Sequence, residues 1–158
     1  MSRTAGETGP AAREALLGRL AEIGGFSAMF SATVAARVGI NTTDLESLDL
    51  LRRHGPMTAG RLAKLTGLTT GAITGVIDRL ERRGYARREA DPSDRRRVIV
   101  RVNDDIAAHD LGPLYAELET AMMGVLTRYS DEEIAILSDV AGRLSDAMRD
   151  AVARLRRP

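Results

Sequence analysis

The stretch over residues 55–103 constrains the fold more than any other part of the chain. Thr58 and Thr69 are each suited to begin a helix, because a threonine oxygen can accept a hydrogen bond from a backbone N–H group of the first turn. Gly67 separates the two helices, and Gly84 ends the second, a role that glycine often has at helix C-termini. The sequence therefore predicts a short helix, a glycine-containing turn and a longer helix.

Two strands are predicted directly after this helix pair, at residues 85–90 and 97–102. The second strand alternates in character from one residue to the next. One face carries Val98, Val100 and Val102, and the opposite face carries Arg97, Ile99 and Arg101. The residues between the strands, Asp-Pro-Ser-Asp at 91–94, are typical of a turn. A helix pair followed by a two-stranded hairpin is the plan of a winged helix-turn-helix, which places its second helix in the DNA major groove.

Two helices are predicted before this stretch. Apolar residues at helical spacing indicate a first helix over residues 11–38, ended by Gly39. Thr43 and Glu46 have the spacing of a capping box, so we expect them to begin a second helix. That helix should end at residues 54–56, where His-Gly-Pro stops the periodic pattern.

Two further helices are predicted after the hairpin. Asn103 is expected to cap a fifth helix over residues 104–129, in which Pro113 predicts a kink or a late start. Ser130 is expected to cap a sixth helix, whose apolar residues recur every three or four positions as far as Leu155. Such a heptad-like seam is suited to packing against another long helix. A monomer of this size would have difficulty burying the seam, which therefore indicates a dimer.

The predicted order of elements is α-α-α-α-β-β-α-α, a mainly α fold with a small β-wing. We expect four parts: a mobile tail (1–10), an N-terminal dimerisation helix (11–38), a winged helix-turn-helix module with its leading helix (39–103), and C-terminal dimerisation helices (104–158).

Positive charge is concentrated in the central stretch. Residues 55–103 contain 11 lysine and arginine residues against 5 acidic residues, whereas the rest of the chain contains 12 against 17. A basic segment within an acidic frame is typical of a face that binds phosphates.

The fourth helix carries the candidate contacts with DNA bases. A glycine in a helix interior costs about 1 kcal/mol, so Gly71 and Gly75 indicate either a close approach to a groove floor or close packing against another helix. The methyl groups of Thr70 and Thr74 are available to thymine methyl groups. The candidate residues are Thr69, Thr70, Gly71, Thr74, Gly75 and Arg79, with Arg61, Lys64 and Arg82 as candidate phosphate contacts.

The turn between the strands carries the second set of candidate contacts, Asp94, Arg95, Arg96 and Arg97. Arginine at the tip of such a ribbon can enter the narrow, negative minor groove of A/T-rich DNA. Asp94 would repel DNA unless it has another role. We therefore expect its carboxylate to hold the Arg96 guanidinium group through a charge-assisted, fork-like pair of hydrogen bonds.

The sequence resembles the MarR family (multiple-antibiotic-resistance-type regulators). The resemblance rests on residues 58–63, 68–74, 79–84 and 91–96, and above all on the Asp-Pro-x-Asp-Arg-Arg wing motif. The flanking helices match in order and length, so that the likeness covers nearly the whole chain from about Ala11. One departure is Val102-Asn103, where Leu-Thr is usual, although asparagine caps a helix equally well.

The resemblance implies a homodimer whose first, fifth and sixth helices intertwine, and whose two winged modules bind a palindromic operator in double-stranded DNA. Members of the family typically repress transcription. Many release DNA when a small aromatic or anionic effector binds between the dimer region and the winged module. Candidate walls of such a pocket are Phe26, Met29, Phe30, His54, Leu111 and Tyr115. The alternative for each is an ordinary core residue or, for His54, a helix C-terminal cap.

Composition disfavours several other classes of protein. The absence of cysteine excludes disulfides, cysteine-ligated zinc and a thiol redox switch within this chain, and two distant histidines do not suggest a metal site. We expect no cofactor. No apolar run approaches the ~20 residues of a membrane span, and residues 1–14 lack the apolar core of a signal peptide, so a cytoplasmic protein is expected. No catalytic motif indicates an enzyme. The alternative function is a winged-helix module that binds DNA non-specifically, or binds protein, without a ligand.

Overall fold

The computed structural model describes residues 9–155, and within that range it contains six helices and one two-stranded antiparallel sheet. The elements are, in chain order, α1 (Gly9–Arg37), α2 (Thr42–His54), α3 (Ala59–Thr66), α4 (Thr70–Arg82), β1 (Ala86–Asp91), β2 (Asp94–Val102), α5 (Asp104–Leu126) and α6 (Asp131–Leu155). This order confirms the predicted mainly α fold with a small β-wing.

The first helix begins slightly earlier than predicted. Gly9 and Pro10, which were expected in the tail, are helical, and the rest of that tail, residues 1–8, lies outside the described residues. A proline is accommodated in the first turn because its missing N–H group would have no partner within the helix there. The helix ends as predicted before Gly39, whose φ of 72° is a conformation that glycine adopts without strain.

The start of α2 differs from the prediction. The N-cap is Asn41, whose Oδ1 accepts a 2.8 Å hydrogen bond from the backbone N–H of Asp44. The Asp44 carboxylate accepts a 3.5 Å hydrogen bond from the Asn41 N–H in return, which completes a capping box. The predicted box of Thr43 and Glu46 was wrong, because the chain is already helical at Thr42.

The predicted caps of three other helices are confirmed. The hydroxyl oxygens of Thr58 and Thr69 accept hydrogen bonds from backbone N–H groups in the first turns of α3 and α4, at 3.3 Å in both cases. At the start of α6, Ser130 Oγ accepts from the N–H of Glu133, and the Glu133 carboxylate accepts from the N–H of Ser130.

The fifth helix departs from its prediction in two respects. Asn103 occupies the N-cap position but its side chain makes no capping hydrogen bond, so the expected side-chain cap was wrong. Pro113 lies inside a helix that begins at Asp104, which rules out the late start. The helix ends at Leu126 rather than at residue 129.

The wing is buried only near its base. Its strands pair with each other as far as Asp91 and Asp94, farther towards the turn than predicted. On the valine face of β2, Val100 and Val102 belong to the core, whereas Val98 is 56% exposed nearer the tip. The tip therefore projects from the core.

The core lies between α2, α3, α4 and the base of the wing, and the end of α1 and the start of α5 complete it. Its fully buried members include Leu48, Leu51, Leu62, Ile73, Ile77, Leu80 and Val100. By contrast, no described residue of α6 is buried. Most of α1 and of the C-terminal half of α5 is likewise exposed. The chain thus consists of a packed central module from which long helices extend.

Candidate nucleic-acid interface

Helix α4 presents a polar, exposed surface opposite its buried face. The buried residues are Ile73, Val76, Ile77 and Leu80, which recur at helical spacing and fix the helix against the core. The N-cap Thr69 and the residues Thr70, Gly71 and Thr74 are all exposed, and Gly75 is partly exposed. The predicted base-contact residues, Arg79 apart, therefore lie together on the outer surface of this helix.

Neither glycine of α4 packs against another helix in the described structure. A methyl group placed on Gly71 would meet no heavy atom within 4 Å, and one placed on Gly75 would meet only the Arg79 side chain, at 3.4 Å. Of the two interpretations that the sequence left open, helix packing is therefore excluded within residues 9–155. The glycines form a low, open stretch on the polar surface of α4.

Arg79 occupies a different environment from the other candidates on this helix. Its guanidinium group forms an ion pair with Asp44, a residue of α2 that is 1% exposed. The hydrogen bonds that its guanidinium group donates to the Asp44 carboxylate raise the pKa of Arg79 above its ordinary value. This pair was not predicted, because the two residues are 35 positions apart and no local pattern connects them.

The base of the wing is tied to α4 through Arg88 of β1. The Arg88 guanidinium contacts Asp78 at 2.7 Å and also pairs with Glu81, whose carboxylate accepts the Arg88 backbone N–H at 2.7 Å as well. In the sheet itself, Arg101 Nε lies 2.5 Å from the Glu89 carboxylate. The Arg88 contacts hold the wing against α4, and the Arg101–Glu89 pair joins the two strands to each other. The sequence reasoning missed these ion pairs.

The turn of the wing is shaped by its two aspartates. Asp91 Oδ1 accepts hydrogen bonds from the hydroxyl and the backbone N–H of Ser93, which hold the pKa of Asp91 below its usual range. Asp94 Oδ1 accepts the backbone N–H of Arg96 at 3.0 Å. The expected fork between Asp94 and the Arg96 guanidinium was wrong, because the short aspartate side chain is bonded to the main chain of its own turn.

Three arginines at the wing tip carry positive charge that no ion pair within the described part of the chain neutralises. Arg95, Arg96 and Arg97 are exposed, and their guanidinium groups form no hydrogen bond or ion pair with any residue between 9 and 155. The positive charge at the tip is therefore available to an external anion.

The candidate phosphate contacts lie on both helices of the helix-turn-helix. Arg61 and Lys64 are exposed on α3, and Arg82 is exposed near the end of α4, where its Nε donates a 3.2 Å hydrogen bond to the carbonyl oxygen of Asp78. Each leaves positive charge at the surface of the module.

A groove of about 1410 Å³ lies between α1, α2 and α5. Five of the six candidate pocket residues line it: Phe26, Met29, Phe30, Leu111 and Tyr115. The rings of Phe30 and Tyr115 meet edge to face, with their centroids 5.3 Å apart. The sixth, His54, lies outside the lining and is exposed at the end of α2.

The groove also has charged walls. Arg53 is paired with Asp49 at 2.7 Å, whereas Arg52 forms no hydrogen bond or ion pair with another described residue. Burial, and to a smaller extent the charge of Asp49, raises the pKa of Tyr115. An apolar groove with one unpaired guanidinium group is suited to a small molecule that is both apolar and anionic.

No group of histidine, cysteine and acidic residues within residues 9–155 is arranged to hold a metal ion. Nor is any single described helix both long and apolar enough to cross a membrane. Together α1 and α2 have the length and apolar composition of a membrane span, but the two helices are bent by 99° relative to each other.

Comparisons with known proteins agree with this architecture. The model of the MarR family matches residues 40–98. The chain is 38% identical over 135 residues to an uncharacterised HTH-type transcriptional regulator of Bacillus subtilis, YcgE, with 85% of this chain and 87% of that protein covered. It is 34% identical over 93 residues to the HTH-type transcriptional repressor NicR of Pseudomonas putida, with 58% of each covered.

Solved structures share the fold. A MarR family protein from Bacillus stearothermophilus superposes with a TM-score of 0.67 at 21% identity, covering 90% of this chain and 99% of that one. Wild-type MarR from Escherichia coli, in its apo form, gives a TM-score of 0.56 at 23% identity, with 88% and 98% covered.

Proposed function

The chain belongs to the MarR family of transcription regulators, and from that premise we propose that it is a repressor that binds a palindromic operator as a homodimer. The observation that carries the proposal is the combination of a low polar surface on α4 with three arginines at the wing tip whose guanidinium groups form no hydrogen bond or ion pair with residues 9–155. Phosphate contacts position a protein on DNA, and groove contacts select the sequence. The module offers both kinds of contact.

In the proposed complex α4 lies in the major groove. Gly71 and Gly75 let the helix backbone approach the base edges, and the methyl groups of Thr70 and Thr74 meet thymine methyl groups. Thr69 lies at the N-terminus of the helix, where positive helix-dipole charge favours a phosphate.

The wing contacts the adjacent minor groove. Arg95, Arg96 and Arg97 supply the positive charge, and Asp94 contributes indirectly by fixing the backbone of the turn. Arg61 and Lys64 on α3 and Arg82 on α4 neutralise flanking phosphates, which makes binding dependent on salt.

The homodimer is proposed to form through α1, α5 and α6. These helices expose large apolar side chains that the described chain leaves uncovered, including Leu16, Leu17, Ile23, Met122, Met123, Ile136, Leu137, Val140, Met148 and Val152. Contiguous exposed apolar surfaces of this kind mark interaction sites. On this proposal residues 11–38 and 104–158 form the dimer and residues 39–103 form each winged module. A two-fold dimer places two such modules on two related half-sites.

The groove between α1, α2 and α5 is proposed to receive a small aromatic or anionic effector that releases DNA. Its lining combines the aromatic rings of Phe26, Phe30 and Tyr115 with the guanidinium group of Arg52, which forms no ion pair with residues 9–155. The groove shares α2 with the winged module, so a ligand there can alter the position of that module. The protein acts in the cytoplasm, and the repressor name of the relative NicR supports the direction of regulation.

Selection of bound duplexes from a random library tests the proposal. The full chain should enrich a palindromic sequence and prefer it to random DNA by ~10³-fold or more at physiological salt. Footprinting should show two half-sites about one helical turn apart. If no sequence is enriched and random DNA binds equally well, the protein is a non-specific module and the proposal is wrong.

A further inference from the structure

The guanidinium group of Arg79 on α4 is held by a carboxylate from another helix. Its Nη2 lies 2.7 Å from Asp44 Oδ1, and its Nε donates to Asp44 Oδ2 at 2.9 Å and to Oδ1 at 3.2 Å. The Asp44 side chain is 1% exposed and that of Arg79 is 40% exposed. Two parallel N–H···O contacts fix orientation as well as distance, which a single contact does not.

Asp44 also belongs to the capping box of α2. Its own N–H donates to Asn41, and its carboxylate accepts the N–H of Asn41. One buried carboxylate therefore determines where α2 begins and where α4 lies against it. A protein is strongly destabilised when a buried charge loses its partner. Asp44 therefore opposes any movement of the Arg79 side chain away from it to bind another anion.

A second contact joins α4 to the same corner between α1 and α2. A methyl group placed on Gly39 would lie only 2.6 Å from Nη2 of Arg83, the residue one turn after Arg79. Gly39 also has a φ of 72°, so it serves both the turn and the close approach of Arg83. The corner thus contacts Arg79 of α4 and Arg83, the C-cap residue that directly follows the helix.

We propose that Arg79 is a positioning residue: its pair with Asp44 fixes α4 against α2 at the angle that DNA binding requires, and Arg79 itself contacts no DNA. This inference rests on the proposed function as a DNA-binding regulator. It assigns Arg79 a role different from that of its neighbours on the polar surface of α4, and it assigns Asp44, which is buried on α2, a part in operator recognition.

Measuring affinity against salt concentration separates the two roles of Arg79. The probe is the duplex that the wild-type full chain enriches, and the variants are Arg79→Gln, Asp44→Asn and the double variant. Positioning predicts about ten-fold weaker binding for each single variant, with an unchanged salt slope. It also predicts that the double variant binds no more weakly than the weaker single variant, because both changes remove one pair.

A DNA contact by Arg79 predicts the opposite pattern. Arg79→Gln would then lower the salt slope by about 1, as the matched control Lys64→Gln at a proposed phosphate contact should. Asp44→Asn would leave affinity unchanged or raise it, because it removes a negative charge and frees Arg79. That pattern would overturn the inference.

Arg79→Lys provides a second test where Asp44→Asn fails to fold. Lysine keeps the charge but cannot form the fork, so positioning predicts that it weakens binding about as much as glutamine does. Binding equal to wild type would overturn the inference.

If the wild-type chain enriches no duplex, the proposed function fails, and amide hydrogen exchange still decides the role of the pair. Positioning predicts faster exchange along α4 in Arg79→Lys, with exchange in the matched control Lys64→Gln unchanged. Unaltered exchange in α4 would count against it.

Discussion

The hydroxyl group of Tyr85 donates a 2.8 Å hydrogen bond to Oδ2 of Asp110. Tyr85 is buried in the connection between α4 and β1, and its carbonyl oxygen accepts the N–H of Asn103 directly before α5. Asp110 lies on α5 and is itself exposed. One tyrosine therefore connects the winged module to a helix of the proposed dimer region.

This relationship predicts a loss of stability at alkaline pH. Burial, together with the hydrogen bond to Asp110, raises the pKa of Tyr85 to about 12 from its ordinary value of 10.0. The neutral hydroxyl is favoured in the folded state, so its contribution is complete below about pH 10 and is lost as the pH rises towards 12. The loss is on the order of 2 kcal/mol.

Urea unfolding of the wild type and of Tyr85→Phe between pH 8 and 11 measures this effect. Phenylalanine removes the titrating group, while the exposed Asp110 can be solvated in its place. The stability of the wild type should exceed that of the variant at pH 8 and approach it as the pH rises. Parallel pH profiles for the two proteins would contradict the assignment.

Replacing Gly71 with alanine should separate stability from DNA binding. Alanine is favoured over glycine in a helix by about 0.5–1 kcal/mol, and the added methyl group would meet no atom of the described chain within 4 Å. The variant should therefore unfold at a higher temperature. Its affinity for the selected duplex should nevertheless fall, because the methyl group enters the space that the groove floor occupies.

Gly142→Ala is the matched control for that experiment. Gly142 lies in α6 and has equally open surroundings in the described chain. Its replacement with alanine should therefore stabilise the protein about as much as Gly71→Ala does, without changing DNA affinity. If Gly71→Ala binds DNA as well as this control does, then the proposal that the groove floor approaches the helix backbone at Gly71 is wrong.

Arg96→Ala should weaken operator binding by roughly 1–3 kcal/mol and leave thermal stability unchanged. The Arg96 guanidinium has no partner among residues 9–155, so its removal breaks no contact within the described fold. Fluorescence anisotropy at moderate salt measures the affinity, and Arg143→Ala on α6 removes an exposed arginine away from the wing as a control. Equal affinities for the two variants would exclude Arg96 from the interface.

The features that the sequence predicted correctly depend on signals a few residues long. The caps at Thr58 and Thr69 involve partners within one helical turn, and so does the cap at Ser130. Apolar periodicity likewise identified the buried face of α4, because the period follows directly from helix geometry. Element order and fold class could therefore be predicted from residue spacing alone.

The ion pairs that position the site could not be predicted in this way. Asp44 and Arg79 meet only after α2 has packed on α4, and Arg88 meets Glu81 only after the wing has folded back. Many arginines and acids in this chain could have paired, and the packing of the elements, rather than spacing along the sequence, selects the actual partners. Asp94 is a different case, because its partner is local: a side-chain partner was expected, although the backbone N–H group of Arg96 in the same turn lay nearer.

Met148→Glu should dissociate the proposed dimer without unfolding the winged module. Met148 is 71% exposed and belongs to the apolar seam of α6, a helix with no buried residue in the described chain. A carboxylate at this position would change the stability of an isolated chain little, because it would be exposed to solvent. In a dimer it would be buried without a partner, and burial of an unpaired charge is strongly unfavourable. Sedimentation should therefore show a monomer where the wild type is a dimer, and affinity for the two-half-site duplex should fall because each module then binds alone.

Asp150→Lys is the matched control for this change, since it alters charge on α6 outside the seam and should leave a dimer. The circular dichroism of both variants should remain helical. A dimeric Met148→Glu protein with wild-type affinity would show that α6 does not hold the two subunits together. The apolar seam would then have to be buried in some other way, and the spacing of the two half-sites would have to be set by α1 and α5.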